Sequence, residues 1–167
     1  PVYLGLYAIA ATLTAPIVLI GTSLAIIALP FVGAAQSERD RRTRLAVLVR
    51  ATVFLSVATG AASFVVLPLL IKLLFGSAFL SALAPARILV LAAVFMSTNI
   101  ALAAGLNGFN RPFVPSVAQL CAAIITVVAL LVLLPTTGIL GAAIASLLAY
   151  ASATVYMAGF AVSRLGV

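Results

Sequence analysis

The chain has 167 residues, 66% of them hydrophobic and only 7% charged, against about 25% charged in an ordinary soluble domain. A water-soluble domain of this size has too little interior to hide that much apolar surface, so that class is excluded. With no histidine, one cysteine and only Glu38 and Asp40 as acids, neither a metal-ligand cluster nor a carboxylate pair is available; no cofactor and no enzyme activity are expected.

Five apolar segments follow one another along the chain. The first predicted helix covers 3–32 and carries Pro16 midway, where a missing backbone donor predicts a bend. A loop over 33–44 follows, holding Arg39, Arg41, Arg42 and Arg44. The second helix, 45–74, has Arg50 near its start, a patch of small residues from Ala58 to Ser63, and Pro68 and Lys72 near its end. The third, 83–104, opens with Pro85 and Arg87 and places Asn99 mid-way. Arg111 precedes the fourth, 113–134, which contains Gln119 and Cys121; the fifth, 139–162, follows a break at Pro135-Thr-Thr-Gly138.

From Pro112 to Ser163 there are 52 residues without a charge. One membrane crossing needs about 20, so this stretch predicts a tight helical hairpin across a bilayer. Barrel strands need only about ten residues of alternating pattern and are excluded, which leaves helices as the way to satisfy the backbone in lipid. The expected fold is all-α: a polytopic bundle of five transmembrane helices forming a single domain over 1–167. The opening Pro-Val-Tyr-Leu, with no methionine or basic stretch before it, reads as a piece of a longer chain whose preceding helix is missing.

Alternating the loops between the two sides puts seven arginines (Arg39, Arg41, Arg42, Arg44, Arg50, Arg111 and Arg164) on one side and Lys72 and Arg87 on the other. Basic residues concentrate on the cytoplasmic side, so loop 33–44 and the C-terminus are expected there. The net charge of +7 lies in loops and helix ends instead of along one continuous face. Anionic lipid headgroups are therefore the expected counter-ions, and nucleic acid is not an expected partner.

Four stretches resemble a known family: Leu4–Ile17 (LGLYAIAATLTAPI), Leu67–Phe79 (LPLLIKLLFGSAF), Ile88–Pro112 and Leu133–Tyr150, the last containing Gly138–Ala145, GILGAAIA. In order and spacing they are similar to the C-terminal lobe of polysaccharide-type flippases in the multidrug/oligosaccharidyl-lipid/polysaccharide exporter superfamily. The resemblance implies a partial lobe of the MATE-like architecture, two six-helix bundles around a cavity of alternating access. It also implies residence in a bacterial cytoplasmic membrane and transport of lipid-linked oligosaccharide or polysaccharide precursors, with the remaining helices of the transporter as partners.

Such a substrate carries a pyrophosphate and sugars through hydrocarbon, which calls for a cationic, polar cavity. Arginine suits pyrophosphate because its fork of donors stays charged and binds two oxygens at once. Arg50, Arg87 and Arg111, closest to the apolar runs, are the candidate anion-binding residues, and Asn99 and Gln119 are candidates for sugar hydroxyls. Each has a plainer use, as an interfacial anchor for the arginines and as a bond between helices for the amides. Two alternatives stay open: a multidrug or lipid II exporter of the same superfamily, and a non-transporting membrane scaffold. A transporter predicts that some of Asn99, Gln119 and Arg50 share one wall lined by the first two helices; a scaffold predicts that all three face protein neighbours.

Overall fold

The computed structural model describes residues 2–166; Pro1 and Val167, and the side chains at positions 2–7, 9, 10, 75, 77, 78 and 81, lie outside the described residues. Five long helices run in chain order: α1 Val2–Gly33, α2 Glu38–Phe75, α3 Leu83–Gly108, α4 Phe113–Thr137 and α5 Ile139–Phe160. A 3-10 turn, Ser77–Ala82, leads into α3, and a π turn, Ala161–Leu165, ends α5. Each of the five is long and apolar enough to cross a membrane.

The arginine-rich segment is where the fold departs most from expectation. Instead of a loop over 33–44, α2 begins at Glu38, and the connection shrinks to 34–37. Ser37 has an extended backbone and its Oγ accepts a hydrogen bond from the Asp40 amide at 3.1 Å. That bond satisfies one of the donors that a helix start leaves open, and Glu38 and Asp40 place negative charge at the positive end of the helix dipole. Arg39, Arg41, Arg42 and Arg44 therefore belong to the first turns of a helix.

The other connections are also tighter than expected. None of the internal prolines ends its helix: α1 continues through Pro16 and Pro30, α2 through Pro68 and α4 through Pro135. Gly138 alone turns the chain between α4 and α5, with φ +57° and ψ −130°, a conformation that a side chain would oppose.

At 38 residues α2 is about 57 Å long, nearly twice the roughly 30 Å of a bilayer's hydrocarbon. Between Arg50 and Lys72 lie 21 uncharged residues, a rise of about 32 Å, which matches the hydrocarbon thickness. The first three turns of α2 thus stand beyond the apolar layer, with Arg50 at its rim.

Helix α3 is the centre of the bundle and α4 its outermost member: 56% of the apolar window of α3 is buried against 11% for α4. Leu120, Ile124, Val127 and Leu131 make an outward stripe on α4, each more than half exposed. An apolar surface of this kind, repeated on Phe54, Val65 and Leu69 of α2, needs hydrocarbon for its solvent.

Two apolar clusters fill the interior. One, towards the ends of α1 and α3, gathers Val32, Leu45, Leu102, Leu106 and Met157; the other gathers Ile17, Leu67, Ile71, Leu89 and Val90. Between them lies a buried polar layer carried by α3. Ser97 Oγ is 2.7 Å from Ser56 Oγ on α2. Asn99 donates to the Tyr150 carbonyl of α5 at 3.0 Å and accepts from Thr154 Oγ1 at 2.7 Å. With no water at that depth, paired polar groups fix which helix faces meet. Helix α1 completes the layer by close approach: a Cβ on Gly21 would lie 2.5 Å from the Ser97 carbonyl oxygen.

Candidate anion-binding groove

Every helix crosses in the opposite sense to the one before, so the charges sort to two ends. Seven arginines and both acids, net +5, gather at the end holding the α1–α2 and α3–α4 connections and the C-terminus; Lys72 and Arg87 are the charges of the other. Within the arginine end the acids are already committed. Arg44 grips Asp40 with two donors, Nε at 3.1 Å and Nη2 at 2.8 Å, and its Nη1 donates to the Phe31 carbonyl at 2.9 Å. That carbonyl is among those left open at the end of α1, so Arg44 ties α1 to α2. Its guanidinium also lies 5.2 Å from the Phe31 ring centroid. Arg41 pairs with Glu38 at 3.1 Å and covers the Phe109 ring of the α3–α4 turn at 5.6 Å. These two arginines hold connections in place.

Arg39, Arg42 and Arg50 have no acid partner among the described residues. Together with Glu38, Thr43, Ala46, Val47 and Gly166 they line a groove of about 720 Å³. Positions 39, 42, 43, 46 and 50 recur at helical spacing, so one stripe of α2 carries all three guanidinium groups. Opposite them the π turn ends in Gly166, in the left-handed conformation at φ +65°, against Arg42 Nη1. Three cations run along one face, from Arg39, about 16 Å beyond the hydrocarbon, to Arg50 at its rim, and suit an anion with several oxygens.

A second groove, of about 420 Å³, runs over α3 between α1 and α5. Its lining is mainly alanine, valine, leucine and Met96, with Thr14, Thr22, Ser146 and Tyr150 as polar points. The hydroxyls of Thr14, Thr22 and Ser146 donate to carbonyls of their own helices, which leaves their oxygens as acceptors facing the groove.

The residues singled out from sequence are not brought together. Arg50 is exposed and lines the arginine groove; Arg111 is exposed in the α3–α4 turn; Arg87 lies at the far end over the Phe64 ring, 4.8 Å from its centroid. Gln119 is exposed on α4. Asn99 is 2% exposed, with its amide bonded to α5. No shared wall of Asn99, Gln119 and Arg50 exists, and of the three only Asn99 is engaged with a neighbouring helix, so these residues meet neither the transporter's expectation nor the scaffold's. Arg39 and Arg42 were not singled out as ligands. Their signal lay in Ser37-Glu-Arg-Asp40, a capping pattern that starts the helix early enough to align them with Arg50.

No protein-family model, curated protein or solved structure matches the chain. Sequence and fold together make it a polytopic, all-α membrane protein of five apolar helices.

Proposed function

We propose that this chain is part of one lobe of a flippase that carries lipid-linked oligosaccharide or polysaccharide precursors across a bacterial cytoplasmic membrane, collecting them at its arginine end. The observation that carries this reading is the stripe of Arg39, Arg42 and Arg50, three cations without acid partners that lead along α2 to the point, at Arg50, where it enters the hydrocarbon. A pyrophosphate linking sugar to an isoprenoid tail has its charge at that depth. The groove over α3 offers the apolar, hydroxyl-dotted surface along which such a molecule can move. By the excess of basic residues the arginine end faces the cytoplasm, where these precursors are made.

A lipid II exporter shares the pyrophosphate and draws on the same three arginines. A cation-coupled drug exporter is less well supported, because both acids of the sequence lie outside the apolar layer and are paired with Arg41 and Arg44. The test is export of a carrier-linked glycan in cells that depend on the full-length protein. Arg50→Ala is expected to lower export about tenfold, the scale of one lost charge-assisted bond, with insertion and protein level unchanged. Export equal to the parent's would rule out the role given to Arg50.

A further inference from the structure

We infer that the glycan collected at the arginine groove is an acidic one, carrying a carboxylate about 12 Å from its pyrophosphate for Arg39 and Arg42 to hold. This names the substrate class of the function proposed above and rests on that reading. The two phosphates of a pyrophosphate share an oxygen, so one turn of helix, about 5.4 Å, spans its charge. Arg39 and Arg42 are neighbours on that scale, whereas Arg50 lies a further rise of about 12 Å along α2. Between them the lining is Thr43, Ala46 and Val47, so the groove has cations at both ends and an uncharged floor. Glu38, the acid of the lining, is neutralised by Arg41 at 3.1 Å. The Thr43 hydroxyl donates to the Arg39 carbonyl at 3.0 Å, which leaves its oxygen as an acceptor for a sugar hydroxyl.

Depth separates the two ends as well. With Arg50 at the rim of the hydrocarbon, Arg42 stands about 12 Å and Arg39 about 16 Å beyond it. Headgroups add about 5–8 Å on each side of the hydrocarbon, so this outer pair stands past the lipid phosphates. Both side chains are exposed and neither has an acid partner among the described residues. An anion held there reaches beyond the headgroups, and the groove joins it to the rim. A glycan whose pyrophosphate rests on Arg50 extends its sugars in that direction, and about 12 Å of groove takes two or three of them. An acidic sugar at that point meets two guanidinium groups, each with a fork of donors that matches both carboxylate oxygens. A neutral glycan would leave the outer pair unused.

The experiment measures binding of two synthetic isoprenyl-pyrophosphoryl trisaccharides, one ending in glucuronic acid and the other in glucose, to the full-length protein in phosphatidylcholine nanodiscs. The acidic one should bind about fivefold tighter, the upper scale of an exposed ion pair. Arg39→Gln combined with Arg42→Gln should remove that preference and leave the affinity for the neutral ligand unchanged, and the corresponding pair of lysines should keep most of the preference. Arg50→Gln should weaken both ligands by the same factor. Arg111→Gln, at an exposed arginine of the same end outside the groove lining, should change neither. Equal affinity of the parent for the two ligands, with Arg50→Gln still weakening both, would overturn the acidic glycan and leave the groove as a substrate site. A preference that survives the loss of both Arg39 and Arg42 would also overturn it, by placing the carboxylate elsewhere. Binding of neither ligand, or no effect of Arg50→Gln on either, would overturn the groove as a substrate site and the acidic glycan with it.

Discussion

Gly21→Leu is expected to separate α1 from α3 while leaving all five helices inserted. Even the first carbon of a side chain at Gly21 would lie 2.5 Å from the Ser97 carbonyl oxygen and 2.7 Å from Ser97 Cα. Both are backbone atoms of the central helix and cannot swing aside as a side-chain tip does. Overpacking in a core usually costs about 1–3 kcal/mol, and a backbone clash between helices belongs at or above the top of that range. At about 3 kcal/mol, α1 would dock some hundredfold less often. Cysteine cross-linking between α1 and α3 in membranes should fall to near background, with helicity unchanged because each helix satisfies its own backbone. Gly33→Leu is the control: nothing lies within 4 Å of its Cβ position, and cross-linking should match the parent.

Asn99→Asp is expected to have the second-largest effect, and to exceed Asn99→Leu. Leucine removes two bonds to α5 but leaves Thr154 its second acceptor, the Tyr150 carbonyl at 2.9 Å. Bonds between membrane helices average about 0.6 kcal/mol, so the leucine variant should lose about 1 kcal/mol. Aspartate keeps the shape but puts a carboxyl among buried neighbours with the Tyr150 carbonyl against it, and an acid inside the hydrocarbon costs up to about 2.5–3.5 kcal/mol. Unfolding in mixed micelles should rank the parent above Asn99→Leu and Asn99→Asp last. Equal stability of the two variants would show that the amide is not bonded as described.

Hydrophobic runs made the helices legible, because length and apolarity are all that a bilayer crossing demands. Their ends were less so. Hydropathy reads Glu38–Arg44 as a loop, since charge lowers the score whether or not the backbone is helical; the cap at Ser37 decides the matter instead. The break read over 135–138 narrows to its last residue, because α4 runs on through Pro135 and it is Gly138 whose backbone conformation turns the chain. The candidate site suffered from the first of these errors. Placing Arg39 and Arg42 in a loop hides their alignment with Arg50, whereas Arg111, at the same end, stays outside the groove lining and Arg87 lies towards the other end. Asn99 was visible as a polar residue at mid-membrane, but only the fold shows that Thr154 and the Tyr150 carbonyl engage it.

The placement of the arginine groove rests on which end of the bundle faces the cytoplasm. With Cys121 replaced by serine, a single cysteine can be set at Gln36, in the α1–α2 connection, or at Thr136, at the far end of α4; both positions are exposed. A thiol reagent that cannot cross membranes should label Thr136→Cys in intact cells and Gln36→Cys only after the cells are opened. Labelling of Gln36→Cys from outside would put the arginines on the wrong side for collecting a cytoplasmic substrate.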